Sequence, residues 1–383
     1  MTTPSAKAST LRRAWDRAWS VSAIPLGAVF LALVVGAIIM IGSSIFATGT
    51  FDPTLPITAY SALLQGSLFS ERALVSTAVH AAPLVLGGLA VGIGFKAGLF
   101  NIGASGQFLC GALAGAYIGA TLANAPGIEA VPVSLLAGGL AGAVWGFIPG
   151  ALKAWRGAHE VVTTIMLNYI AATLIAYLIV GPLGAKGFSF ARTGDTGNAS
   201  LPILIGDEGH LGLLIALVAV PLAWWLLWRS TLGFEIRTVG ANPSAARYAG
   251  MRPGLLIVFT MSVCGMLAGL AGAGEILGIS HFMNASYGTS IGFDGITVAL
   301  LGRAHPFGIL AAALLFGIMR AGEGLMQIST GIPVEIIDVV QAVILLFLAA
   351  DVLVRRLLRV RAARVAVDEL QTVTRSYGEQ AVR

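Results

Sequence analysis

The chain is poor in charge and nearly without cysteine. Only 11% of its residues are Asp, Glu, Lys or Arg, against roughly a quarter in soluble globular domains. So few charges cannot coat an aqueous surface, which excludes a soluble enzyme and a nucleic-acid-binding domain. The two cysteines, Cys110 and Cys264, both lie in apolar runs. They read as small buried hydrophobes rather than as a disulfide or a metal site. No Gly-x-x-x-x-Gly-Lys-Ser/Thr stretch occurs, so the chain has no P-loop to cradle nucleotide phosphates. His-Glu-x-x-His and Asp-rich magnesium motifs are missing too. The acidic residues are scattered, so nothing points to an enzyme, and no cofactor or metal is expected.

What is present is apolar length. The chain is 57% hydrophobic, with a mean hydropathy of +0.87. A membrane span needs about 20 mostly apolar residues. Ten stretches qualify, near 24–47, 74–95, 98–123, 131–151, 161–183, 211–228, 255–277, 289–302, 306–326 and 333–354. The expected fold is all-α, a polytopic membrane protein of about ten helices. The first stretch is too long for the apolar core of a signal peptide, about 7–15 residues, and reads as an uncleaved helix. The second and third are almost contiguous, which predicts a broken or re-entrant segment near 95–107. The organisation expected is an arm over 1–23, a membrane domain over 24–354 with an inner loop at 229–254, and a basic tail over 355–383.

The net charge of +5 is gathered at segment ends. Lys7, Arg12, Arg13 and Arg17 precede the first span, and Arg355, Arg356, Arg359, Arg361 and Arg364 follow the last. Alternate loops carry Lys96, then Lys153 and Arg156, then Arg229, Arg237, Arg247 and Arg252, then Arg303. The other loops hold only Arg72, Lys186 and Arg192. This is the positive-inside signature, with ten passes and both termini in the cytoplasm. The loops left outside, 48–73 and 184–210, are candidates for docking an external partner.

Two runs interrupt the apolar sequence, Phe100-Asn101-Ile102-Gly103-Ala104-Ser105-Gly106-Gln107 and Ser290-Ile291-Gly292-Phe293-Asp294-Gly295. Both contain Ile-Gly-x-x-Gly, and they open the third and eighth spans. Matching interruptions in two five-span halves suggest an inverted repeat with a transport site between the halves. Chance recurrence in a chain with 49 glycines is the alternative. Small-xxx-small patterns such as Gly111/Gly115/Gly119, Gly138/Gly142 and Gly265/Gly269 allow close helix packing without implying a ligand.

Asn101, Ser105 and Gln107 are neutral hydrogen-bonding groups suited to a polyol such as ribose, or to satisfying a broken backbone. Phe100 and Phe293 can stack on a base or simply pack. Asn168 suits either a pathway or interhelical bonding. Asp294 can bond a sugar hydroxyl or cap a helix. Arg320 and Glu323 share a helix face. A charge at mid-membrane costs about 2.5–3.5 kcal/mol, so an internal pair is expected there. His159 and Glu160 sit at the inner end of a loop. Within Gly240-Ala241-Asn242-Pro243-Ser244-Ala245-Ala246-Arg247-Tyr248-Ala249-Gly250-Met251, Asn242 is a natural N-cap, Pro243 fits the first turn and Gly250 is a stop signal. A two-turn helix with Arg247 and Tyr248 available suits a groove on a cytoplasmic partner, with Ala245 and Ala246 at the point of entry.

The motifs at 98–107, 158–170, 240–251 and 292–303 together resemble permeases of bacterial ABC importers, in the branch for nucleosides and simple sugars, related to branched-chain amino-acid and ribose permeases. The resemblance covers about 75 to 350. Many members carry Glu where this chain has Ser105. It implies a cytoplasmic ATPase that binds ATP and receives the 240–251 helix, a second related permease, and a lipid-anchored binding protein outside. The function implied is import of a nucleoside or simple sugar across the bacterial cytoplasmic membrane. A branched-chain amino-acid permease, a membrane-embedded enzyme and a secondary transporter are the alternatives.

Labelling of single cysteines placed at Ser5, Arg237 and Ser376 is expected from the cytoplasm only, and at Ser200 from outside only. An external label on Arg237 would overturn the orientation.

Overall fold

The computed structural model describes residues 25–45, 51–288 and 290–350. The predicted arm at 1–23 and tail at 355–383 lie outside the described residues. The helices are α1 (Pro25–Ile45), then α2 (Leu55–Leu68), α3 (Glu71–Lys96), α4 (Ala104–Thr121), α5 (Gly127–Arg156), α6 (Glu160–Val180), α7 (Leu211–Arg229), α8 (Thr231–Ala241), α9 (Pro243–Tyr248), α10 (Pro253–Glu275), α11 (Ile291–Leu301), α12 (Pro306–Thr330) and α13 (Glu335–Ala349). α10 runs on into a π-helical turn at Ile276–Ser280. A short antiparallel pair, β1 (Ile203–Ile205) and β2 (Gly209–His210), precedes α7.

Among the described residues seven helices are long and apolar enough to cross a membrane: α1, α3, α5, α6, α7, α10 with its π turn, and α12. The protein is therefore an all-α, multi-pass membrane protein, and the expectation of ten such spans is corrected. Among the described residues each of the ten predicted stretches contains a helix, but three fall short. α4 starts at Ala104 rather than 98, because Ala97–Gly103 is not helical, and Ser105, Gly106 and Gln107 dilute its hydropathy. α11 has 11 residues and α13 has 15. The expected outer loop at 48–73 also contains α2, whose start is set by Asp52 accepting from Thr54 N at 2.9 Å.

The described residues form two compact units. Ala59–Ser329 is one, and the described residues on either side of it make up the other. Within Ala59–Ser329, α10 packs on α3, α4 and α5, while α3 also packs on α7 and α11. Residues 79, 81–94 of α3 are all buried, which makes it the central helix.

Lipid tails are as apolar as leucine, so membrane helices associate through close packing rather than through the hydrophobic effect. α5 and α10 achieve this with glycine on both sides. A Cβ added to Gly142 would lie 2.2 Å from Gly265 O and 2.7 Å from Gly269 Cα, and one on Gly146 would lie 2.4 Å from Met261 O. One on Gly138 would meet Ala273 Cβ at 2.4 Å. α4 joins the same seam, since a Cβ on Gly111 would lie 2.3 Å from Gly269 Cα. Three backbones thus meet around Gly269, with no side chain between them.

Adding even one carbon there pushes against backbone, which cannot step aside. Overpacking typically costs about 1–3 kcal/mol. Gly142→Ala and Gly269→Ala are expected to lower the thermal midpoint of the purified protein by several degrees. Gly274→Ala, where a Cβ would meet nothing within 4 Å, is expected to leave it unchanged. Equal midpoints for all three would refute the seam.

Candidate functional site

The break between α3 and α4 is built from backbone orphans and the amides that satisfy them. Two residues past the end of α3, Gly98 stands at φ +69°, a left-handed conformation that glycine adopts without strain. The chain then turns through Leu99–Gly103 before α4 begins. A helix N-terminus leaves its first N–H groups unpaired, and burial makes that costly. Asn101 Oδ1 accepts from Gly103 N at 3.1 Å. Its Nδ2 donates to Gln107 Oε1 at 2.9 Å, and Gln107 Nε2 donates back to Asn101 Oδ1 at 3.2 Å. From α6, Asn168 Oδ1 accepts from Gly106 N at 2.8 Å while its Nδ2 donates to Ile102 O at 2.9 Å. Asn101 and Gln107 are fully buried, at 0% and 1% exposed. Their polar atoms are committed to one another and to the break.

The second interrupted run meets the first. A Cβ on Gly292 would lie 2.1 Å from Ser105 Oγ and 2.3 Å from Ser105 N, so the start of α11 abuts the start of α4. The two Ile-Gly-x-x-Gly runs are thus in contact. Ser105 is buried, and among the described residues its hydroxyl has no hydrogen-bond partner. Asp294, in the first turn of α11, accepts from Ser290 Oγ at 2.8 Å and from Arg320 Nη2 at 2.7 Å. Arg320 Nη2 also donates to Ser290 Oγ at 2.5 Å. Glu275, at the end of α10, lies within electrostatic reach of Arg320 and of Tyr287. Glu323 is half-buried one turn beyond Arg320. Phe293 is half-exposed, whereas the Phe100 ring lies against Phe95 at 5.1 Å between centroids.

Residues 288–292 spell Gly-x-Ser-x-Gly, as in the strand–turn–helix elbow of α/β-hydrolases. Here, among the described residues, no strand leads into the helix that Ser290 opens, and its hydroxyl is engaged by Asp294 and Arg320. That is a charge-anchoring arrangement, not a nucleophile held by a base.

The 240–251 segment folds as its capping signals require. Asn242 Oδ1 accepts from Ser244 N and Ala245 N, both at 3.0 Å. Pro243 occupies the first turn, and Gly250 closes the helix at φ +81°. Ala245, Arg247 and Tyr248 are exposed, Tyr248 at 95%. Ala246 differs from the expectation, because it is 0% exposed. In a helix this short one face must lie on the protein, and α9 packs on α8 and α10. Ala246 seats the helix there, so the outward face belongs to Ala245 and Tyr248. Gly240, in α8, presses on the end of α3; a Cβ on it would lie 2.2 Å from Lys96 O. Glu160 opens α6 at 1% exposed and accepts from Lys153 Nζ at 2.5 Å.

Sequence reasoning placed Asp294 and Arg320 separately and did not see that they pair. Lys153 and Glu160 were likewise legible only as two ends of one loop. A surplus basic residue facing an intramembrane acid was the available signal.

Residues 73–349 match the family described as branched-chain amino acid transport system / permease component. The chain belongs to this family. It is a permease subunit of an ABC importer, a transport protein rather than a catalyst. It is 39% identical to the guanosine ABC transporter permease protein NupP of Bacillus subtilis, over 87% of this chain and 94% of that one. It is 35% identical to the nucleoside ABC transporter permease protein NupB of Lactococcus lactis, over 94% and 98%. It is 34% identical to the glucose ABC transporter permease protein TsgB13 of Haloferax volcanii, over 88% and 90%. No solved structure matches the chain.

Asn168→Leu strips two bonds from the start of α4 at once. Each buried group left unsatisfied costs about 1–3 kcal/mol. The variant is expected to insert normally yet melt well below wild type, which a thermal unfolding series in detergent would read. An unchanged midpoint would free Asn168 from this structural duty.

Proposed function

We propose that the chain carries a nucleoside through the membrane as one permease of a two-permease importer. The observation that carries this reading is the near end-to-end similarity to permease proteins for guanosine and for nucleosides. The chemistry at the junction of α4 and α11 supports it. Asn101, Gln107 and Asn168 spend their donors and acceptors on the break, which leaves Ser105 as the neutral group there for a solute rich in hydroxyls and ring nitrogens. Phe100, Phe293 and Asp294 complete the pathway in this reading. Asn101, Gln107 and Asn168 hold its frame, while Ser105 Oγ and the half-exposed Phe293 keep capacity to touch solute. Arg320 with Glu323 and Asp294 steadies α12 against α11.

A simple sugar is the second reading, favoured by the 34% identity to a glucose permease protein. Sugar and ribose share their hydroxyls, and only the nucleoside brings an aromatic base.

In the same reading the chain lies in the bacterial cytoplasmic membrane with both termini inside. α4 at 18 residues is about 27 Å long and α11 about 16 Å, at 1.5 Å per residue. α4 nearly spans the roughly 30 Å hydrocarbon layer, and α11 reaches about halfway. A cytoplasmic ATPase receives α9 through Ala245, Arg247 and Tyr248. Gly240, Asn242, Pro243, Ala246 and Gly250 shape and seat that helix. A second related permease completes the pathway, and a lipid-anchored binding protein delivers solute outside.

Uptake of labelled guanosine, uridine, glucose and leucine, in cells with and without the gene, decides between the readings. Guanosine and uridine uptake is expected to fall on deletion, with glucose and leucine unchanged. Loss of glucose uptake alone would select the sugar reading, and loss of leucine uptake alone would overturn both.

A further inference from the structure

The ends of α3 and α7, the middle of α8 and the start of α12 converge in one cationic, aromatic cluster. Lys96 Nζ lies 5.9 Å from the Trp228 ring centroid, and the Arg237 guanidinium lies 5.8 Å from the same ring. The Arg229 guanidinium lies 5.3 Å from the Trp224 ring. The His305 ring lies tilted against Trp228 with centroids 5.0 Å apart, and Phe307 lies against both His305 and Trp224. Burial, then the charge of Lys96, hold His305 below its ordinary pKa, so it joins the cluster as a neutral ring. Among the described residues no carboxylate forms an ion pair with Arg229 or Arg237, and Glu235 of α8 pairs with neither. Lys96 and Arg229 close the last turns of their helices, where the helix dipole favours a cation. The dipole does not explain why Arg237, from another helix, shares a tryptophan with Lys96.

We infer that Lys96, Arg229 and Arg237 hold the phosphate of an anionic phospholipid headgroup, with Trp224, Trp228 and Phe307 bracing its glycerol and upper chains. Tryptophans at helix ends mark the level of the headgroups. A basic recess between helix ends at that level recognises an anionic lipid. Trp224, Trp228, Lys96 and Arg237 are half-buried and Arg229 and Phe307 exposed, so a lipid reaches them from the side. A phosphate between the cations relieves their mutual repulsion, and at the arginines no carboxylate among the described residues does so.

The full chain in nanodiscs of equal parts phosphatidylcholine and phosphatidylglycerol tests this by tryptophan quenching. Bromine is carried on the chains of one lipid or of the other. Brominated phosphatidylglycerol is expected to quench the fluorescence that disappears in Trp224→Phe/Trp228→Phe several times more than brominated phosphatidylcholine does. Arg229→Gln/Arg237→Gln is expected to reduce that preference about fivefold per cation removed. Arg229→Lys/Arg237→Lys, which keeps the charge, retains it and guards against simple misfolding. Equal quenching by both lipids, or a preference that survives the Gln double variant, overturns the assignment. Inorganic phosphate in excess is expected to leave the preference intact. If phosphate abolishes it, the cluster is a site for a free anion and the lipid assignment fails.

Discussion

Contact between bare backbones organises this protein. α5, α10 and α4 approach so closely around Gly269 that no side chain fits between them. In water such a seam would be a poor way to hold helices together, since it buries little apolar area. In a bilayer, burying apolar area against a neighbour gains little, because lipid already solvates it. What remains is dispersion, which falls steeply with distance and rewards the smallest possible gap. The repeat of glycine every four residues on α5 and α10 keeps that gap closed over several turns.

A rigid seam of this kind makes a broken helix sustainable beside it. α4 lies in the seam through Gly111 and Gly115, so its first turn has a fixed position relative to α10. The amides of Asn101, Gln107 and Asn168 then have stationary targets. Without the seam the same side chains would face a moving helix end, and the freed backbone groups would have no dependable partner at membrane depth. The break, the contact between Ser105 and Gly292 and the Asp294–Arg320 pair follow from this order of support.

Much of this was legible in the sequence. Among the described residues every predicted apolar stretch contains a helix, because hydropathy and turn chemistry are local properties. The cap at Asn242 and the stop at Gly250 were readable for the same reason. Span length was less so: the third stretch looked continuous from 98, because Leu99, Phe100 and Ile102 are apolar whether or not the backbone is helical. Pairings across the fold were not legible. Nothing local says that Arg320 reaches Asp294, that Gly292 touches Ser105, or that Ala246 turns inward while Ala245 turns out. Those depend on how helices lie against one another, and a glycine seam leaves little periodic trace beyond its spacing.

The touch between Gly240 and the end of α3 has a mechanical consequence. A side chain between two helices is a spring, since it can change rotamer and absorb a small displacement. Gly240 and Lys96–Gly98 meet backbone to backbone, so that joint has almost no compliance. Gly98 stands two residues past the end of α3, within the non-helical stretch into α4. A shift of α8 therefore arrives at the break between α3 and α4 with little lost on the way. The exposed helix that follows α8 by one residue is in effect the handle of a lever whose fulcrum is a glycine.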